Sequence, residues 1–293
     1  MAGKRCMQAA PLDWTTGSPA ACPGFRMSND SSGIVKEKPG LGYALRRYTP
    51  ARVSLGQAGP AIPTSEQLRF QLDHALARDA VYARLDVAAL LQGLRQRQME
   101  CLALRSAVAG EHGQDDRQIY LRRPDLGRTL HPDSPQLLRE YPTNISGGPD
   151  VVFVIADGLS ALAVERHALP LLDAMMRDLG SEQWRAGPVC VVSQGRVAIG
   201  DEIGALLRAK LVVMLIGERP GLSAPDSLGV YITWEPLPGR TDAERNCISN
   251  IRHEGLSYAD AAQRIVFYMN EAKRLQCTGI ELKENATPFL PTS

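Results

Sequence analysis

The chain has 293 residues, 44% of them hydrophobic, and a formal net charge of +1. That is enough apolar material for a buried core and, at about 150 residues per domain, for about two domains. The near-zero charge excludes the field that would gather nucleic acid or an anionic membrane. The longest apolar runs, Val151–Ala156 and Leu211–Ile216, fall far short of the ~20 residues that span a bilayer.

Residues 1–65 hold eight Lys/Arg against three Asp/Glu, with seven of the 20 prolines and eight of the 26 glycines. Such a stretch buries too little apolar area to offset its ordering entropy, so most of it reads as a solvated, disordered arm. It has no apolar core of signal-peptide length, and Met27 offers an alternative translation start. The six cysteines form no C-x-x-C pair and read as scattered free thiols, which predicts a soluble, intracellular protein. Thr64-Ser65-Glu66-Gln67 has the form of a capping box, followed by a helical stripe of Leu68, Leu72, Ala75, Leu76 and Ala80. A second helix is expected over Val87–Ala109, stopped by Gly110 and Gly113. A basic, proline-broken loop follows at Arg122–Arg128, and a linker at Pro142–Pro149.

From Asp150 the pattern changes. Val151–Ala156 is an unbroken β-branched and aromatic run, as in a strand buried on both faces. A helix over Ser160–Leu179, closed by Gly180, leads to strands at Val189–Val192 and Leu211–Ile216 with a helix near Asp201–Arg208 between them. Val230–Thr233 reads as a shorter strand, Ser257 opens a helix to Leu275, and Gly279–Leu282 reads as a last strand. The alternation predicts the α/β class: an open, mainly parallel sheet with helices on both faces. The expected organisation is a disordered arm (1–45), a helical N-terminal domain (46–145) and the α/β domain (150–285).

Ligands of open parallel sheets sit beyond the carboxyl ends of the strands. Asp157–Ser160, Gln194–Val197 and Gly217–Gly221 fall there, and Arg245–Asn250 is a fourth candidate loop. Asp157 and Ser160 also suit helix capping, Glu218 and Arg219 also suit a solvated ion pair, and Cys247 also suits a small core residue. His74 and His167 have no metal-ligand partner at four residues' spacing, so no metal site is expected. No G-x-G-x-x-G, G-x-x-x-x-G-K-[ST] or G-x-S-x-G occurs, so the usual parts for dinucleotide, nucleotide or acyl chemistry are missing. Residues alone give an α/β domain that binds something large at its strand ends. A stand-alone small-molecule enzyme or binding module using Asp157 or Glu218 stays open as an alternative.

Longer motifs narrow this. Ala156–Ser160, Gly195–Gly204, Gly217–Leu222 and Thr241–Ile251, with Thr49–Val53, Arg69–Ala75 and Arg123–Arg128 upstream, resemble the small subunits of ethanolamine ammonia-lyase in the same order from about Leu45 to Leu282. The resemblance implies a lyase converting ethanolamine to acetaldehyde and ammonia with adenosylcobalamin. Radical chemistry would take place in a barrel of a separate large subunit, so no catalytic residue is expected here. It implies a Rossmann-like α/β domain and cofactor contacts at Val197, Glu218 and Cys247; Asp157 and Arg219 are further candidates for shaping the pocket. No D-x-H-x-x-G is present, so the cofactor would bind base-on. The implied location is cytoplasmic, free or within a bacterial microcompartment, although residues 1–45 hold too much Pro and Gly for an amphipathic targeting helix.

Overall fold

The computed structural model describes residues 44–49, 51–108, 116–142, 147–179 and 184–282. The expectations for residues 1–43, including a start at Met27, lie outside them, as do the stops at Gly110–Gly113 and Gly180 and the middle of the Pro142–Pro149 linker. The chain divides into two compact units, residues 1–49 and 50–293. In the first, the described residues form a helical turn, Arg47 and Tyr48 N–H donating to the carbonyls of Ala44 and Leu45.

The second unit holds helices α1 (Thr64–Tyr82) and α2 (Val87–Gln96), strand β1 (Cys101–Arg105), short helices α3 (Asp116–Arg122) and α4 (Ser134–Glu140), then β2 (Val151–Ala156), α5 (Ala161–Leu179), β3 (Val189–Ser193), α6 (Ile199–Leu207), β4 (Leu211–Gly217), β5 (Leu228–Trp234), β6 (Asn246–Ile251) and α7 (Tyr258–Leu275). The six strands form one sheet in the order β1-β3-β2-β4-β5-β6. The first four are mutually parallel, and β5 and β6 are antiparallel additions at one edge.

Side chains alternate between the sheet's faces, and each face has its own core. Val151, Phe153 and Ile155 pack with Leu90 and Leu94 of α2, Leu171 and Met175 of α5, and Ile265 and Met269 of α7. Val152, Val154 and Ala156 pack on the opposite face with Leu138 of α4 and Ile199, Ile203 and Leu207 of α6. The helix after β2 therefore lies on one face and the helix after β3 on the other. This reversal opens a crevice between the carboxyl ends of β2 and β3, where open α/β sheets take ligands. At the opposite end of β2, Asp150 accepts from Arg185 Nε and Nη2 (2.9 and 3.0 Å) and lies 3.0 Å from Lys210 Nζ. Arg185, then Lys210, holds that carboxyl well below the usual range.

Several expectations are corrected. Thr64 does not cap α1: Pro63 occupies that position, and no side chain bonds there. Leu68, Leu72 and Leu76 of α1 are about half exposed, and of the expected stripe only Ala80 is buried. The helix expected over Val87–Ala109 stops at Gln96, because Gln98 turns to φ +58° and Cys101–Arg105 pairs with β3. Leu102, Ala103, Leu104 and Arg105 are good helix formers, and only that long-range pairing selects the strand. Arg245–Asn250 is not a loop, since β6 begins at Asn246. Gly279–Leu282 is not a strand but a 3-10 turn over Gly279–Glu281. Gly279 has φ +83° and donates its N–H to Asn246 Oδ1, so this segment plugs the end of β6 instead of pairing with it.

Candidate functional site

The crevice at the reversal is filled by the chain itself. Asp157, the first residue after β2, is buried, and its Oδ2 accepts from Arg117 Nη1 of α3 at 2.9 Å while Oδ1 accepts from Gly195 N–H at 3.2 Å. Arg117 also donates to the carbonyls of Val81 and Gly158. Tyr120, one turn along α3, donates its hydroxyl to Gly195 O at 2.9 Å and sits between the guanidinium groups of Arg117 and Arg196, 4.9 and 4.3 Å from its ring centre. Burial pushes the Asp157 carboxyl up to about 6, against the pull of Arg117 and the Gln194 and Gly195 amides. With both oxygens engaged, Asp157 is poorly placed as an acid–base group for a ligand, and it caps no helix. Ser160 does cap, accepting from Ala163 N–H at 3.2 Å and donating to Pro225 O.

Displaced by this plug, the open space lies alongside, as a cleft of about 860 Å³. Its lining includes Leu121, Pro124 and Arg128, Arg196–Ala198 leading into α6, and Arg219, Arg240–Asp242 and Arg245. The volume is within the usual range for small-molecule sites, about 300–1,000 Å³. Arg245 fixes its wall. It is buried and donates from Nη1 and Nη2 to the two oxygens of Asp201 on α6, each at 2.7 Å, and further to Thr233 Oγ1 and Arg240 O.

Beside the cleft the sheet has an uncovered face. Met214, Tyr231 and Cys247 are paired neighbours across β4, β5 and β6 and so share a face, passing from buried through half-buried to exposed. Tyr231 and Val197 both pack on the α6-side core. Glu218 lies over the same face: a Cβ on Gly229 of β5 would stand 2.9 Å from its Oε1. The Glu218 carboxylate accepts from Ser227 Oγ and from Asn250 N–H. It does not pair with Arg219, which has no ion-pair partner among the described residues. Burial, and then Cys247 and Glu218, push the Tyr231 hydroxyl above its usual range.

A match to the family model for the ethanolamine ammonia-lyase light chain covers residues 42–283. The chain belongs to this family. It is 57% identical over 242 residues to an ethanolamine ammonia-lyase small subunit of Pseudomonas fluorescens, covering 83% of this chain and 86% of that one. It is 55% identical over the same length to small subunits of Azotobacter vinelandii and Pseudomonas aeruginosa, covering 87% and 86% of those chains.

For a light chain of this family, the placement of the three expected contact residues is informative. Val197 lines the cleft, whereas Glu218 and Cys247 belong to the adjoining open face. Cys247 is not in a strand-end loop: it is level with Met214, halfway along β4. Tyr231 lies on the same face, paired with Cys247. Among the described residues no group of three His, Cys, Asp or Glu side chains could hold a metal ion, and no helix is long and apolar enough to cross a membrane.

Proposed function

We propose that this chain is the small subunit of an adenosylcobalamin-dependent ethanolamine ammonia-lyase, which converts ethanolamine to acetaldehyde and ammonia. In this reading it lines the cofactor at an interface with a large catalytic subunit in a cytoplasmic hetero-oligomer and supplies no catalytic residue. The observation that carries the reading is the uncovered face itself: Val197, Tyr231, Glu218 and Cys247 meet on one side of the sheet, beside a cleft that one chain alone leaves open.

The residues present fit a corrin, a broad ring fringed by amide arms. Such a group needs apolar surface with a few fixed acceptors. Val197, the Tyr231 ring and Cys247 offer the surface. Glu218, held by Ser227 and the Asn250 amide, offers a carboxylate that can accept an arm's N–H. When bound, adenosylcobalamin supplies a carbon radical by homolysis of its cobalt–carbon bond. This chain's residues would orient the ring and exclude water from one side, and no D-x-H-x-x-G histidine is present that would displace the cofactor's own base. The half-exposed Leu68, Leu72 and Leu76 on α1 suit burial against the large subunit.

Co-expression with a large subunit, with ethanolamine and adenosylcobalamin supplied, is expected to give deaminase activity only when both chains are present. Turnover of an amino alcohol by this chain alone would overturn the assignment and favour a stand-alone enzyme. In the assembled enzyme, Glu218→Ala should weaken cofactor binding by about tenfold or more, the value of one charge-assisted hydrogen bond. Equilibrium dialysis measures it, and an unchanged affinity removes Glu218 from the site.

A further inference from the structure

The charges around the cleft do not balance. Of its five arginines, Arg245 is neutralised by Asp201 and Arg240 by Glu244. Arg128, Arg196 and Arg219 have no carboxylate partner among the described residues. Asp242, the one carboxylate lining the cleft, is 96% exposed and 3.6 Å from Arg245 Nε, so it does not offset them.

Arg196 is the informative member. Its guanidinium is stacked on Tyr120, its backbone N–H is tied to Gly127 O at 2.7 Å, and its Nε is buried with no acceptor. A buried donor left unmatched costs free energy that an incoming acceptor restores. Burial pushes this guanidinium below its usual range, and Arg117 and Arg128 add to that by repulsion. A rigid, under-satisfied cation with two further free guanidiniums on the same cleft is arranged for an anion. Guanidinium forks match phosphate oxygens well. The intervening lining, Leu121, Pro124, Leu159 and Val197, suits a ligand whose anionic group rides on an apolar body.

We propose that Arg128, Arg196 and Arg219 form a phosphate subsite, which on the cobalamin reading receives the phosphodiester of the cofactor's nucleotide tail. The cofactor assignment rests on the proposed function; the phosphate chemistry rests on the cleft. The same chemistry could take a free phosphate, and the test separates the two. Arg128 and Arg219 are exposed, so the double variant Arg128→Gln/Arg219→Gln should leave the fold intact.

With this chain assembled on the large subunit, equilibrium binding is measured for cobalamin and for cobinamide, a corrin without the phosphodiester and base. The double variant should bind cobalamin at least tenfold more weakly, with cobinamide affinity unchanged. Equal weakening of both corrins, or of neither, would overturn the subsite as the holder of the cofactor's tail. Should wild type bind neither corrin, the cobalamin reading fails by itself. Thermal denaturation with inorganic pyrophosphate then decides: stabilisation of wild type but not of the double variant keeps a phosphate site filled from solution, and stabilisation of both or neither eliminates it.

Discussion

Replacing Arg245 with alanine is expected to lower the free energy of unfolding by about 3–5 kcal/mol, the usual cost of breaking a buried ion pair from one side. The reason is what remains behind. Asp201 is 1% exposed and sits in the first turn of α6 with both oxygens committed to Arg245. Without the guanidinium, that carboxylate is desolvated and unpaired, and Thr233 Oγ1 and Arg240 O lose a donor as well. A loss of this size is a large share of the ~5–15 kcal/mol that holds a typical domain folded. Removing both charges should behave differently. Asp201→Leu with Arg245→Met replaces the pair by apolar volume and should recover most of the loss, since a buried pair has little net value over well-packed hydrophobic residues. Urea unfolding of the wild type and the two variants measures this. A loss below about 1 kcal/mol for Arg245→Ala would mean that water reaches Asp201 and that the cleft wall is not locked.

The same contrast between local and long-range signals decides how much of the molecule is legible in its sequence. Strands β2 and β4 are legible because both faces are covered, so their apolar runs are continuous. Helix α7 is legible from its cap, as Ser257 accepts from Asp260 N–H at 3.2 Å. Strand β6 is not. Its buried hydrophobic residues Ile248 and Ile251 are three apart, because the β5–β6 register shifts and Asn250 sits at φ +62°, a bulge that destroys the two-residue period. Strand β1 is hidden for another reason: its residues favour a helix locally and only the β3 partner overrules them. For the site, the turns after β2 and β3 are legible from their polar, glycine-bearing composition. What fills them is not, since Arg117 is 40 residues from Asp157 in sequence and no local pattern couples the two. Cys247 falls within the polar Arg245–Asn250 stretch and takes its expected role from family resemblance, but its place on a sheet face follows only from the pairing with Tyr231.

That hidden coupling predicts a stability effect whose size depends on pH. Arg117→Met is expected to cost about 3–5 kcal/mol at neutral pH, because Asp157, 2% exposed, loses the guanidinium it is ion-paired with. In the wild-type fold burial already holds the Asp157 carboxyl at about 6, above the ~3.9 of an unfolded chain. A folded carboxyl with a raised value keeps its proton where the unfolded chain has released it. Its contribution to stability is therefore greatest below about pH 4, falls as pH rises through the window to about 6, and is level above that. Arg117 opposes the upward push, so removing it raises the folded value further and prolongs the fall beyond pH 6. The wild-type and Arg117→Met curves should thus diverge as pH increases, with a smaller gap at pH ~5 than at pH ~8. Melting temperatures of both proteins across that range, at fixed ionic strength, give the test. A gap that stays constant would show that Arg117 acts through packing and its bonds to Val81 and Gly158 alone, with no electrostatic hold on the buried carboxyl behind the cleft.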